Sequence, residues 1–219
     1  MAEGDRTLPS TGRGLARRRA LLDAAARLFV EKGYGKTTLD DIVAVAGGSK
    51  ATLYAQFGDK EGLFRAIMAE NQARIQAGLD RVVACQSLTP EEALTQVALQ
   101  FLGVLLQEET LSVIRVLIAE GGRVPQVVDE FMRTGPEVTN KRLSDYLAGL
   151  SDRGLLSVPD PATAARAFLG MVTGRLLFDR LVMPERTLDL GREEHYVRQA
   201  VRLFLDGVSP AGARATRAA

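Results

Sequence analysis

TTLDDIVAVAGGSKATLYAQFGDKEGLF, residues 37–64, sets two short apolar patterns on either side of a glycine pair, and its reading decides the fold. The first pattern opens at Thr37 or Thr38 as N-cap, with Asp40 or Asp41 placed to complete a capping box, and stops at Gly47. After the Gly47-Gly48 turn, Ser49 caps a third short helix that runs to about Phe57, and FGDKEGLF opens a longer one. Working outward, Leu15 to Lys32 places Leu21, Leu22, Ala25, Leu28 and Phe29 on one face, with Gly33 as the stop. Two short helices joined by a tight glycine turn form a helix-turn-helix, whose second helix enters the major groove of DNA.

That arrangement explains the residue types. Small residues at Gly48, Ser49 and Ala51 let a helix N-terminus approach a duplex, with its unpaired N–H groups and positive dipole end toward phosphate. Lys50 and Thr52 then lie near base edges, where lysine donates to guanine and the threonine methyl packs on thymine. Tyr54, Gln56 and Lys60 come later and are expected to hold the DNA backbone, while Leu53 and Phe57, four apart, form the buried side. Charge is distributed to match. Residues 1–65 carry 11 Lys and Arg against 8 Asp and Glu, the remainder 17 against 19, and Arg13, Arg17, Arg18 and Arg19 cluster before the first helix face.

The stretch of residues 37–64, preceded by ARLFVEKGYGKTT, resembles the DNA-binding half of the TetR family of bacterial transcriptional regulators. The similarity covers about residues 15–65. It implies an all-α homodimer with a ligand-binding C-terminal domain. Carried over by position, Thr38, Tyr54 and Lys60 match phosphate-holding positions, and Lys50, Ala51 and Thr52 match positions that face bases, while Arg17 joins the DNA contact set from the basic cluster. Leu39 stands where some members have a base-reading polar side chain. Gly48 replaces a valine, which predicts a looser turn, and Gln56 replaces a His or Tyr.

Beyond Lys60 the periodicity predicts helices near residues 61–84, 90–107, 109–121, 125–134, 137–152, 161–182 and 192–207, with Thr89-Pro90 and Asp160-Pro161 as start signals. The organisation expected is a basic arm at 1–14, the helix-turn-helix domain at 15–60, a helical ligand-binding and dimerisation domain at 61–208, and a disordered Ala/Gly/Arg-rich tail at 209–219. VIRVLIAEGGRVPQVVDEF through LSDYLAGLSDRGLL is similar to one branch of TetR-family C-terminal domains. Candidate pocket residues on the central helices are Phe101, Leu105, Ile114, Leu117, Phe131, Tyr146, Met171 and Arg175. Dimer contacts in such proteins come from the last two long helices, which points to Gly170 and Gly174 and to Val197, Val201 and Phe204.

Composition narrows the classes. At 219 residues and 46% hydrophobic the chain can bury a sizeable core, and Cys85 as the one cysteine leaves no disulfide framework and no Cys-rich zinc site. No HExxH and no phosphate loop is present, so neither metal nor cofactor is expected, and His195 is the one histidine any triad could use. The N-terminus has no apolar signal region, and the longest uncharged apolar stretch, 93–107, is too short to span a bilayer. The expectation is a cytoplasmic, non-enzymatic regulator that binds a palindromic operator as a homodimer and releases it on binding a small apolar or amphipathic effector. A helical interaction or lipid-handling protein without sequence-specific DNA binding is the competing reading.

Overall fold

The computed structural model describes residues 12–85, 87–123, 125–185 and 189–208, and these form ten α-helices with no strand among them. In chain order they are α1 Gly12–Glu31, α2 Leu39–Ala46, α3 Lys50–Phe57, α4 Lys60–Ala84, α5 Pro90–Leu105, α6 Glu108–Glu120, α7 Pro125–Thr134, α8 Pro136–Asp152, α9 Pro161–Val182 and α10 Leu190–Val208. The caps explain most starts. Thr38 accepts from the Asp41 amide while the Asp41 carboxylate accepts from the Thr38 amide, so of the alternatives open in the sequence it is Thr38 and Asp41 that make the box. Thr37 is instead buried, and its hydroxyl donates to the carbonyls of Leu28 and Gly33 at the end of α1. Thr89 with Glu92 and Asp160 with Pro161 begin α5 and α9 in the same manner.

The chain divides into two compact units, and neither is a continuous stretch of sequence. The first holds the described residues up to Asn71 together with Glu108–Phe131. Its core joins Leu21, Leu22 and Phe29 of α1 to Ile42, Leu53 and Phe57, to Leu63 and Phe64 of α4, and to Val113, Val116 and Val127. The rings of Phe29, Tyr34 and Phe64 pack pairwise with centroids 5.0–6.0 Å apart. A boundary at residue 60 therefore does not match the packing. Val113 and Val116 put the apolar face of α6 into the core of α1–α3, which chain order alone does not reveal.

The second unit comprises Gln72–Gln107 and the described residues from Met132 onward. Leu79 and Val82 of α4, Leu94 and Val97 of α5, Leu143 and Leu147 of α8, Phe168 and Val172 of α9, and Val197 and Val201 of α10 form its core. Phe168 meets Phe204 edge-on at 5.1 Å. No helix among the described residues is long and apolar enough to cross a membrane. Of the expected arm, residues 12–14 are the first turn of α1, while residues 1–11 and the tail 209–219 lie outside the described residues.

Candidate nucleic-acid interface

α2 and α3 are each eight residues long, and the turn between them is made by two glycines with positive φ, Gly47 at 75° and Gly48 at 92°. L-residues avoid this region because Cβ crowds the backbone. The turn is not loose. The Arg17 guanidinium lies across it, donating from Nη1 to the Ala46 carbonyl at 2.8 Å, and a Cβ on Gly48 would sit 2.9 Å from Arg17 Cζ. An arginine from α1 thus occupies the space that a valine would otherwise fill, which corrects the expectation of a slack turn. It also places a cation on the carbonyl end of α2, where the helix dipole is negative.

α3 shows the two faces its sequence implies. Leu53 and Phe57 are buried, while Lys50, Ala51 and Tyr54 are exposed. Ser49 caps the helix by accepting from the Thr52 amide at 3.2 Å, and its hydroxyl also meets the Thr52 hydroxyl at 3.0 Å. With that hydroxyl engaged, the methyl of Thr52 is the group left for an apolar contact such as a thymine methyl. The Lys50 ammonium pairs with Asp40 of α2 at 2.6 Å, a contact that the sequence reading missed.

Two expected backbone contacts are placed otherwise. Lys60 turns inward, and its ammonium donates to the carbonyls of Tyr34 at 2.8 Å, Thr37 at 3.1 Å and Gly35 at 3.4 Å, and lies 4.5 Å from the centre of the Tyr34 ring. It ties the loop between α1 and α2 to the start of α4, so its charge is spent inside the protein. Gln56 directs its side-chain oxygen into the unit, where it is buried with no hydrogen-bond partner. Thr38 is exposed, but its hydroxyl and amide both donate to the Asp41 carboxylate. Lys32 donates to that carboxylate at 2.8 Å, and these bonds, Lys32 foremost, lower the Asp41 pKa to about 2. Arg18 and Arg19 of the arginine cluster are likewise engaged. Arg18 lies over the Phe57 ring and 3.7 Å from Glu70, and Arg19 pairs with Asp23 and Glu70.

The eight candidate pocket residues do not belong to one unit. Ile114, Leu117 and Phe131 are part of the first unit, and Leu117 and Phe131 pack on its core. Arg175 is on the surface, its side chain 76% exposed and paired with Asp179. Phe101, Leu105, Tyr146 and Met171 pack on the second unit's core. Phe101 lines a cavity there of about 10 Å³ with Gln100, Thr139 and Leu143, room for about one water. Around Thr139 two amide oxygens are left without a partner. Its hydroxyl oxygen accepts from Gln76 at 3.1 Å and from Gln72 at 3.4 Å, while the side-chain oxygens of Gln76 and Gln100 are buried with no hydrogen-bond partner.

The expected dimer residues also separate. Val197, Val201 and Phe204 are buried in the second unit's own core, so they are not available to a partner. Gly170 and Gly174 are exposed, and a Cβ at either would meet open space. The apolar residues that share their exposure are Phe178 and Val182 on α9 and Leu203 on α10, each about 60–67% exposed.

Comparison with known proteins agrees with this geometry. The N-terminal family model described as bacterial regulatory proteins, tetR family, matches residues 21–67, and the model described as AefR-like transcriptional repressor, C-terminal domain, matches residues 92–207. An uncharacterised HTH-type transcriptional regulator, YvkB of Bacillus subtilis (strain 168), is 26% identical over 192 residues, 86% of this chain and 95% of its own length. The crystal structure of a TetR-family regulator from Mesorhizobium loti MAFF303099 superposes with a TM-score of 0.77 at 26% identity, covering 91% of this chain and 100% of that one. The flavonoid-responsive regulator FrrA superposes with a TM-score of 0.66 at 30% identity, covering 92% of this chain and 100% of that one.

Proposed function

The chain belongs to the TetR family of bacterial regulatory proteins, and we propose that it is a cytoplasmic repressor that grips a roughly palindromic operator as a homodimer and lets go on binding a small effector. One observation carries the reading. The N-terminal turn of α3 is exposed and capped by Ser49, while the opposite face of that helix is anchored through Leu53 and Phe57. Such a helix can enter a major groove without unfolding anything, with Lys50, Ala51 and Thr52 at the bases and Tyr54 at the backbone. Family membership displaces the interaction-protein and lipid-handling readings, and the proposal assigns the chain no chemical step.

A second copy of this chain covers the apolar face of α9 and α10. Gly170, Gly174 and Phe178 recur every four residues on α9, so two copies of that helix can approach closely where the glycines leave space. Each glycine costs about 1 kcal/mol in a helix, which close packing between copies would offset. Phe178→Asp is expected to yield a folded monomer by sedimentation and to lower operator affinity more than tenfold in a mobility-shift titration, because one recognition helix makes few base contacts. A Phe178→Asp protein that stays dimeric and binds normally would remove this face as the interface.

The effector site lies in the second unit around Gln76, Gln100 and Thr139, and the effector is a neutral, largely apolar molecule bearing hydroxyl or N–H donors. Two buried amide oxygens that lack partners support that chemistry, and because the cavity beside them has room for about one water, a larger effector enters only as the side chains around it move apart. The response recorded in the name of FrrA suggests a flavonoid as the first probe. Titrated into the protein–operator complex, it is expected to release DNA, with operator and flavonoid weakening each other by one common factor of about five to 150. Gln100→Leu is expected to abolish release while leaving DNA binding intact. Full release from the Gln100→Leu protein would place the effector elsewhere.

A further inference from the structure

Asp40 is the second residue of α2, and its Oδ1 accepts from the Lys50 ammonium at 2.6 Å across the helix-turn-helix. The dipole of α2 favours an acid in its first turn, but that does not explain why this one is paired with Lys50. The N-terminus of α2 already has its capping carboxylate in Asp41, and the Asp40 side chain is 68% exposed. A second carboxylate beside the base-facing turn repels a polyanion, so it lowers affinity for DNA unless it accepts a hydrogen bond there. We propose that Asp40 is a specificity-determining residue, and that Asp40 and Lys50 together read one G·C base pair. The inference rests on the reading that α3 presents Lys50 to the bases.

The chemistry of the groove edge matches the pair. Guanine offers two acceptors, N7 and O6, and the cytosine of the same pair offers the N4 donor beside them. The ammonium has three donors, of which one goes to Asp40, leaving two for N7 and O6. The carboxylate has a second oxygen, Oδ2, to take the cytosine N4 proton. In the same register a T·A pair puts the thymine methyl where guanine has N7 and O4 where guanine has O6, and its other acceptor, adenine N7, lies beyond the N6 donor, so Lys50 loses one of its two bonds there. Without the carboxylate, lysine is a mobile point charge that accepts guanine, thymine O4 or a phosphate with little discrimination. Asp40 narrows that choice in two ways. It holds the ammonium at the α2–α3 junction, and it is left unpaired opposite any base lacking a donor at that place.

The test begins with the wild-type protein, used to enrich duplexes from a random-sequence library. Each base pair of the enriched sequence is then changed in turn, and the panel is titrated in competition with wild type, Asp40→Ala, Asp40→Asn, Lys50→Ala and the double variant Asp40→Ala/Lys50→Ala. Wild type is expected to prefer G·C by roughly five- to 150-fold at one base pair per recognition helix. Asp40→Ala should flatten that preference to within about threefold while binding random duplex at least as tightly as wild type. Lys50→Ala should fail at the same base pair, and the double variant should lose no more there than either single one. Asp40→Asn, which keeps an acceptor oxygen and a polar first turn on α2, should fall between, and equal unfolding midpoints exclude a folding effect. Two results overturn the proposal while leaving Lys50 a reader: Asp40→Ala raising affinity for every duplex by a common factor with the ranking kept, or Asp40 and Lys50 acting at different base pairs. If Lys50→Ala leaves the ranking intact, its assignment as a reader falls and this proposal falls with it.

Discussion

Replacing Lys60 by alanine lowers the unfolding midpoint of the protein and leaves the salt dependence of DNA binding unchanged. The ammonium is bonded to the carbonyls of Tyr34, Gly35 and Thr37 and stacks on the Tyr34 ring, whose other neighbours are Phe29 and Phe64. Hydrogen bonds to a charged group contribute about 1.5–3 kcal/mol, and carbonyls stripped of their donor lose solvation that water only partly restores. A loss on the order of 2–3 kcal/mol is expected, visible as a lower denaturant midpoint at unchanged slope. A lysine on a phosphate gives a different signature. Its removal costs little stability and reduces the slope of log K against log salt by about one. Measuring both on one protein separates the roles, and a reduced salt slope with an unmoved midpoint would return Lys60 to the DNA backbone.

Gly48→Val, which restores the family's usual turn residue, is expected to damage this protein. A φ of 92° costs an L-residue about 1–2 kcal/mol, more for a β-branched one, and the new Cβ would stand 2.9 Å from the Arg17 guanidinium. Arg17 must move, which forfeits its bond to the Ala46 carbonyl, worth about another 1 kcal/mol. Operator affinity should fall at least tenfold because the turn sets the direction of α3. Arg17→Ala should relieve the clash but not the backbone strain, so Gly48→Val/Arg17→Ala should cost less than the sum of its single variants. Strict additivity would show that the guanidinium and the turn do not interact, and a Gly48→Val protein of normal stability and affinity would overturn the account of the turn.

Features written in neighbouring residues were legible before any coordinates. The Ser49 cap needs only Thr52, and the Thr89 box only Glu92, so the starts of α3 and α5 follow from local chemistry. The spacing of Leu53 and Phe57 likewise gives the buried face of α3 directly. What a long side chain does depends on residues distant in sequence. Lys60 and Arg17 resemble surface cations in the chain, yet their partners lie 23–29 residues away. The same limit explains Val197, Val201 and Phe204. An apolar stripe looks alike whether it meets its own core or a second copy, and here Phe168 on α9 claims Phe204. In the chain Asp40 reads as an alternative to Asp41 for the capping box, and its tie to Lys50, ten residues on, depends on the turn that brings α2 and α3 together.

The first unit borrows Val113, Val116 and Val127 from a segment that follows residue 71 by more than 30 positions. A fragment ending at residue 60 or 71 would carry every side chain proposed to touch DNA but leave the α1 surface that α6 covers open to water. During synthesis the same gap is a delay. Chains emerge at about 5–20 residues per second, so the region that recognises the operator stays unsealed for some seconds after its own helices have left the ribosome. Loop closure must then bring α6 back across the intervening segment, an entropic cost that grows only logarithmically with length. Competence to bind DNA is therefore a property acquired late, once the chain has been made past its midpoint.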